Sequence, residues 1–264
     1  MNRITNNDLE KILINKTRGS SEIVGLLNKH FLINRYKHNE LKRIIKIAKE
    51  KLGHFETVNS YLGELSANLK SGNEEELKYF LVHFEQEESK KYNRLFDKIY
   101  PEIKNFDKIL TLSRSSTVIK VLKLFHKRNK SLSVTVCESR PKLEGRLTAE
   151  ELAKSGVKVL LITDAMMNLL IPKVDAAIIG ADIILRNENI VNKVGSKSLA
   201  ILCRGSKKPC YVVSTKSKKS NRSTFKQKFE SPNEILGRKI KNLTTQNIYF
   251  ELIEKKYLTK IFTD

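Results

Sequence analysis

The chain has 264 residues, of which 50 are lysine or arginine and 29 are aspartate or glutamate, giving a formal net charge of +21. That length accommodates one large domain or two modest ones, each able to bury a core. No apolar run reaches the ~18 residues that a membrane-spanning helix needs, which argues against an integral membrane protein. The first residues lack the apolar core of a signal peptide, so we expect a cytoplasmic protein.

The positive charge favours anionic partners: RNA, acidic proteins or phosphorylated small molecules. Lysine and asparagine are spread along the whole chain, however, so an AT-biased genome explains the charge equally well. Aromatic residues are not interleaved with the basic ones as in RNA-stacking surfaces. The densest basic stretch, Thr215–Lys228, reads as a mobile, solvated loop.

Cysteine and histidine usage argues against a metal site. The cysteines are Cys137, Cys203 and Cys210, an odd number without a CxxC spacing, which disfavours both disulfides and zinc. Each is expected to be a small core residue. All histidines lie at or before His126. We therefore expect no metal and no cofactor.

Residues 1–104 are predicted to form a helical domain. Apolar side chains recur with helical spacing, for example Leu41, Ile44, Ile45, Ala48 and Leu52. Asn39 is a plausible cap for that helix. Ser71-Gly72-Asn73 predicts a break, and Pro101 predicts the end of the last helix.

Residues 105–264 are predicted to form a Rossmann-like α/β domain. Strand-like runs alternate with helical segments, which is typical of a parallel sheet with right-handed crossovers. Thr148–Glu151 reads as a capping box that opens a helix, and Val157–Ile162 as a buried strand. Ligands in such sheets bind beyond the carboxyl ends of the strands. Polar segments follow four predicted strands, and we expect them to cluster: Leu112–Ser116, Glu138–Gly145, Asp164 and Gly180–Asp182.

Several of these segments carry chemistry. Asp182 follows Gly180 at a strand end, where a carboxylate can act as a base or hold sugar hydroxyls; a turn or cap aspartate is the simpler alternative. Asn192 and Lys193 precede Gly195 and Ser196 at a predicted helix start, a setting that attracts phosphate.

Two further segments are candidate anion sites. Arg140 can grip a phosphate or carboxylate with two hydrogen bonds, although a structural ion pair with a loop carboxylate is at least as plausible. Near the N-terminus, Arg18, Gly19 and Ser20 lead into a helix and could hold a second anion. An ordinary helix entry is the alternative there.

Together these motifs resemble a known family. The string GADIILRNENIVNKVGSKSLAILC resembles the GAD–NG–NKIGT signature of the initiation factor 2B regulatory subunit family, which includes methylthioribose-1-phosphate and ribose-1,5-bisphosphate isomerases. CESRPKLEGRLTAEELAKSGVKVLLITDA, ILTLSRSSTV and KTRGSS resemble its other motifs. The resemblance implies a helical N-terminal domain, a Rossmann-like C-terminal domain and dimers or higher oligomers.

The resemblance also assigns roles. The catalytic pair of the isomerases would be Ser113, where they have cysteine, and Asp182. Ligand and phosphate contacts would be made by Arg18, Gly19, Ser20, Arg140, Glu144, Asn192 and Lys193. At the position of Glu144 the family has glutamine. A serine hydroxyl is a much weaker acid than a thiol and needs an adjacent base, and the nearby loop offers no histidine.

Three functions therefore compete. The favoured one is a factor 2B-related binding and regulatory module with a pocket for a phosphorylated ligand, whose partner is initiation factor 2 or a phosphorylated small molecule. The second is an aldose–ketose isomerase acting on a pentose phosphate. The third, with weaker support, is an RNA-binding protein that has borrowed the fold, with affinity that falls steeply with salt.

Overall fold

The computed structural model describes residues 6–14, 19–34, 36–53 and 55–264. The chain divides into two compact units, Met1–Asn93 and Arg94–Asp264. Each unit buries its own apolar core. Among the described helices, none is both long and apolar enough to cross a membrane.

The first unit is helical throughout its described part. Its helices are α1 (Asn6–Leu13), α2 (Ser20–Asn34), α3 (His38–Leu52), α4 (Glu56–Lys70) and the start of α5 (Glu74–Ile103). The apolar faces predicted from the helical spacing meet in one core, whose most buried members include Ile23, Leu27, Val58, Leu62 and Leu65. Asn73 marks the predicted break, because its Oδ1 accepts from the Glu75 amide at 3.0 Å.

Two predicted helix boundaries are wrong. Helix α3 begins at His38 and is preceded by extended Lys37, whose carbonyl accepts from the Leu41 amide, so Asn39 lies inside the first turn and does not cap it. Helix α5 passes through Pro101 and ends at Ile103. Ile103 is fully buried, and this packing outweighs the backbone hydrogen bond that a proline cannot donate.

The second unit alternates strands and helices. Its first half contains β1 (Lys108–Leu112), α6 (Ser116–Arg128), β2 (Ser133–Cys137), α7 (Glu144–Lys154), β3 (Lys158–Ile162), α8 (Met167–Leu170) and β4 (Ala176–Ile179). Its second half contains β5 (Ile183–Ile184), β6 (Ile190–Lys193), α9 (Ser196–Gly205), β7 (Cys210–Ser214), β8 (Phe250–Ile253) and β9 (Lys260–Thr263). The predicted α/β class with a helical N-terminal region is confirmed.

Six strands form one parallel sheet in the order β3-β2-β1-β4-β7-β9. Successive side chains point to opposite faces, so Ile109 and Ile178 join one core and Leu110 and Ala177 join the other. Chain order reverses between β1 and β4. At such a point the following loops diverge and leave a crevice at the carboxyl edge of the sheet.

The beginning of α7 departs from the prediction. The helix starts at Glu144 rather than at Thr148, so the predicted capping box is wrong. Gly145 permits this early start, since a Cβ there would lie 1.8 Å from the Cys137 carbonyl oxygen at the end of β2. Glu144 is thereby brought to the carboxyl edge of the sheet.

Strand β3 is an edge strand, and its predicted burial is wrong. Leu160 and Leu161 are 51% and 44% exposed. An apolar run alone does not distinguish a central strand from an edge strand that is covered by another molecule. Further exposed apolar side chains are Leu147 of α7, together with Met166 and Leu169, which follow β3 in the chain.

A small antiparallel sheet, β5-β6-β8, stands beside the parallel one. It is formed partly by residues near the C-terminus, since Glu251 of β8 pairs with Asn192 of β6. The sheet fixes Asn192 and Lys193 at the end of β6, immediately before α9.

Candidate functional site

Backbone and side-chain hydrogen bonds join the loops that follow β1, β2 and β3. The Ser113 amide donates to Ser139 Oγ at 2.7 Å. The amides of Ser139 and Arg140 donate to the two carboxylate oxygens of Asp164, at 2.9 and 2.7 Å. These three loops therefore meet at one edge of the sheet, as the alternation of strands and helices predicted.

Ser113 is held in the left-handed region, with φ of 65°. Its hydroxyl donates to Glu144 Oε1 at 3.0 Å, and its carbonyl accepts from Thr148 Oγ1 at 2.8 Å. The sequence predicted a serine without an adjacent base, because the loop contains no histidine. The structure instead supplies a carboxylate from the first turn of α7.

Glu144 also binds Lys193. Lys193 Nζ lies 2.8 Å from Glu144 Oε1, and the two side chains are only 4% and 13% exposed. The Tyr249 ring covers the ammonium, with its centroid 5.2 Å from Nζ. The second oxygen of Glu144 is buried and has no hydrogen-bond partner among the described residues. The predicted phosphate-binding lysine is thus already paired with a carboxylate of its own chain.

The start of α9 is likewise satisfied internally. Asn192 Nδ2 donates to Ser196 Oγ at 2.9 Å. Glu251 Oε1 accepts from the amides of Gly195 and Lys197, at 2.7 and 2.9 Å. A carboxylate therefore occupies the helix start at which the sequence predicted a phosphate.

Asp182 follows β4 and faces two lysines. Burial raises the pKa of its carboxyl group, and the charges of Lys218 and Lys193 offset part of that rise. Lys218 is only 6% exposed. Burial lowers the pKa of its ammonium group, and the charge of Asp182 offsets part of that decrease. Asp182, which is partly buried, therefore interacts electrostatically with the buried Lys218 at the carboxyl edge.

Lys218 was not predicted to belong to the site, because the composition of Thr215–Lys228 indicates a solvated loop. That prediction is wrong for the part after β7. The Ser220 amide donates to the Ile184 carbonyl and the Arg186 amide to the Arg222 carbonyl, so the segment packs along β5. The place of Lys218 in the chain could have identified it, because its segment directly follows strand β7 of the parallel sheet, just as the other site loops follow their strands.

Arg140 lies exposed at the rim of this group. Its Nη2 makes one long contact, 3.4 Å, with the Glu234 carbonyl, and no carboxylate of the described chain pairs with its guanidinium. Among the described residues, Arg140 therefore does not form the structural ion pair that was the alternative to ligand binding. The Glu234 carboxylate instead binds Lys142 and accepts from the Tyr249 hydroxyl at 2.6 Å. Lys142 lies within the predicted Glu138–Gly145 segment, whereas Glu234 and Tyr249 were not predicted because neither directly follows a strand of the parallel sheet.

The N-terminal candidates lie in the first unit. Arg18 is outside the described residues. The Gly19 carbonyl accepts from the amides of Glu22 and Ile23, as in an ordinary helix entry. Ser20 is buried, with its Oγ 3.4 Å from Thr57 Oγ1.

The cysteines are buried, as expected of core residues. Burial raises the pKa of Cys137 to about 12, so its thiol is unreactive at neutral pH. In the described ranges no three histidine, cysteine, aspartate or glutamate side chains are grouped in a way that could hold a metal ion.

Comparisons with known proteins bear on this site. The family model described as "Initiation factor 2 subunit family" matches residues 34–264. A ribose 1,5-bisphosphate isomerase of Archaeoglobus fulgidus is 29% identical over 171 residues, covering 61% of this chain and 54% of the relative. A translation initiation factor eIF-2B subunit 2-like protein of Pyrococcus horikoshii is 34% identical over 161 residues, covering 60% of this chain and 56% of the relative.

The chain thus spans about half the length of the curated relatives that it matches. In contrast, a crystal structure of translation initiation factor eIF-2B from Pyrococcus horikoshii matches 97% of this chain and 93% of its own, with a TM-score of 0.79. At 23% sequence identity that likeness shows the fold. Isomerases and initiation-factor proteins are both among the relatives, so the family alone does not choose between catalysis and binding.

Proposed function

Because this chain belongs to the initiation factor 2 subunit family, we propose that it is a factor 2B-related binding and regulatory module of the cytoplasm, with a pocket for a phosphorylated ligand. The observation that carries the proposal is the meeting of Ser113, Glu144 and Lys193 at the carboxyl edge of the sheet, next to Asp182. Convergent polar groups at that edge are typical of a ligand site in parallel α/β domains.

Arg140 is the group best suited to hold the phosphate. It lies on the rim, its backbone is fixed by Asp164, and its guanidinium is not engaged by a carboxylate of the described chain. A guanidinium can donate two parallel hydrogen bonds to a phosphate. The carboxylates of Glu144 and Asp182, both partly buried, suit hydroxyl groups of the same ligand.

Binding rather than catalysis is favoured by Ser113. The isomerases that the family motifs resemble have a cysteine there, and a hydroxyl is a far weaker acid than a thiol. Removing one general acid commonly lowers a rate by a factor of about 10² to 10⁴. The Ser113 hydroxyl also donates to Glu144 and is thereby committed within the protein.

A ligand screen tests the proposal. Thermal shift and calorimetry should detect binding of ribose 5-phosphate, ribose 1,5-bisphosphate, methylthioribose 1-phosphate or a nucleoside monophosphate, because a ligand of the native state raises its stability. Arg140→Ala should weaken the binding at least about tenfold. Arg146→Ala, which removes an exposed arginine paired with Glu138, is the matched control and should leave it unchanged. Absence of binding by every compound would contradict the proposal.

The isomerase alternative is favoured by one observation. Asp182 combines a raised pKa with neighbouring lysines, as a group that handles protons requires. Its test is turnover of ribose 1,5-bisphosphate or methylthioribose 1-phosphate that is lost in Asp182→Asn. No turnover, either in the wild type or in Ser113→Cys, would eliminate this alternative.

A second copy of the chain is the partner proposed for the exposed edge at β3. Leu160 and Leu161 expose apolar surface on an unpaired edge strand, which monomeric proteins usually avoid. Leu160→Lys with Leu161→Lys should convert a dimer into monomers in light scattering. A wild-type monomer at micromolar concentration would contradict this assignment. Initiation factor 2 remains the proposed heterologous partner, tested by co-precipitation.

A further inference from the structure

The Lys193 ammonium has no room for an external phosphate. Its side chain is 4% exposed, Glu144 Oε1 lies 2.8 Å from Nζ, and the Tyr249 ring covers it. A phosphate could reach Nζ only by displacing a carboxylate that is itself buried. Such displacement would leave the charge of Glu144 uncompensated in a poorly hydrated place, which is costly.

The floor of the proposed site, which comprises Glu144, Lys193, Asp182 and Lys218, is balanced in charge. Glu144 offsets Lys193, and Asp182 and Lys218 influence each other electrostatically. A phosphate dianion placed on this floor would meet carboxylates as well as ammonium groups. A ligand hydroxyl is better suited to this floor, because it can donate a hydrogen bond to a carboxylate and brings no net charge to be desolvated.

The rim differs from the floor. The Arg140 guanidinium is exposed and has no carboxylate partner in the described chain. The neighbouring Lys142 is already paired with Glu234. Arg140 can therefore hold one phosphate at the rim.

We infer that Glu144 is a specificity determinant of this site: because its carboxylate occupies Lys193, the site holds a ligand phosphate on Arg140 and rejects a second phosphate at Lys193. This inference rests on the proposed function and adds a specificity determinant to it. Glutamine at position 144 would leave the Lys193 charge uncompensated, so a ligand phosphate could displace that side chain without stranding a buried carboxylate.

The test is calorimetry with ribose 5-phosphate and ribose 1,5-bisphosphate, using wild type, Glu144→Gln and Glu150→Gln. The control changes the same charge on the same helix at a side chain that is 63% exposed. Wild type should bind the monophosphate at least tenfold more tightly than the bisphosphate. Glu144→Gln should bind the bisphosphate at least tenfold more tightly than wild type does, and Glu150→Gln should remain within twofold of wild type.

The possible results of the calorimetry distinguish a failure of this inference from a failure of the proposed function. A wild-type preference for the bisphosphate, or the same preference in wild type and Glu144→Gln, would overturn the inference while leaving the proposed function in place. Failure of both compounds to bind any variant would overturn the inference, whereas the proposed function would fail only if methylthioribose 1-phosphate and the nucleoside monophosphate also failed to bind. If Glu144→Gln does not fold, Glu144→Ala is measured instead, with inorganic phosphate as a second probe that wild type should bind more weakly than the variant.

Discussion

The hydroxyl of Ser113 lies 3.0 Å from Oε1 of Glu144, although 31 positions separate the two residues in the sequence. Both occupy places where the isomerases that the motifs resemble have other residues, a cysteine and a glutamine. The two differences thus meet at one hydrogen bond. A buried carboxylate gains a donor from the serine, and the serine gains an acceptor.

Ser113→Ala should destabilise the protein by about 1–2 kcal/mol, since it removes a donor from a buried carboxylate whose other oxygen is already unpartnered among the described residues. Chemical denaturation measures the loss. Ser155→Ala is the control, because the Ser155 hydroxyl donates to the Glu151 carbonyl in an exposed place. Its effect should stay below about 0.5 kcal/mol. Equal effects of the two substitutions would argue against a structural role for the Ser113–Glu144 contact.

Asp182→Asn should stabilise the protein at neutral pH. Burial raises the folded-state pKa of Asp182 above its unfolded value, so ionisation costs more in the folded state. This penalty is absent below the unfolded pKa, grows as the pH rises from there, and is complete above the folded-state pKa. Removing it should raise the Tm at pH 7.

The gain from Asp182→Asn should shrink as the pH falls below the folded-state pKa and should vanish below about 3, where the wild-type carboxyl group is protonated in both states. Thermal denaturation across this range measures the difference. Asp97→Asn, at an exposed aspartate, is the control and should show little change at any pH. A gain that increases on acidification would show that the sign of the shift is wrong.

Gly145→Ala should be strongly destabilising, by about 3 kcal/mol or more, because the new Cβ would lie 1.8 Å from the Cys137 carbonyl oxygen. The helix start would have to move, taking Glu144 with it. Gly63→Ala is an informative contrast: Gly63 lies within α4, and an alanine Cβ there would meet nothing within 4 Å, so this substitution should raise stability by about 0.5–1 kcal/mol. Similar Tm values for the two variants would contradict the tight approach of α7 to β2.

Glu251→Ala should cost about 1 kcal/mol, because it removes the carboxylate that accepts from the Gly195 and Lys197 amides at the start of α9. Chemical denaturation measures the loss. Glu102→Ala, which breaks an exposed ion pair with Lys260, is the comparison and should cost less. An unchanged stability in Glu251→Ala would mean that water replaces the cap without penalty.

The sequence predicted the parallel sheet and the meeting of loops at its carboxyl edge, because both follow from a short-range alternation of strand-like and helical runs. It also pointed to Ser113, Glu144, Asp182 and Lys193. It could not show that Glu144 pairs with Lys193, since that contact depends on α7 beginning early at a helix start fixed by Gly145. Contacts of this kind are set by tertiary packing, which local patterns do not encode.

Lys218, Glu234 and Tyr249 illustrate the same limit. Lys218 lies in a basic segment whose composition predicts a solvated loop, and no local pattern marked Glu234 or Tyr249 as site residues. Their order comes from distant partners: β5 for the segment containing Lys218, and Lys142 for Glu234. The sequence also could not show that β3 is an edge strand, because its apolar run is the same whether a neighbouring strand or a second molecule covers it.

We propose, above all, that the carboxyl edge of the parallel sheet holds a phosphorylated ligand. The most direct test of this proposal is a crystal structure of the chain with ribose 5-phosphate. We predict that the phosphate lies within hydrogen-bond distance of the Arg140 guanidinium, with ligand hydroxyls directed towards Glu144 and Asp182. A ligand bound elsewhere, or a phosphate seated on Lys193 with Glu144 displaced, would contradict this claim.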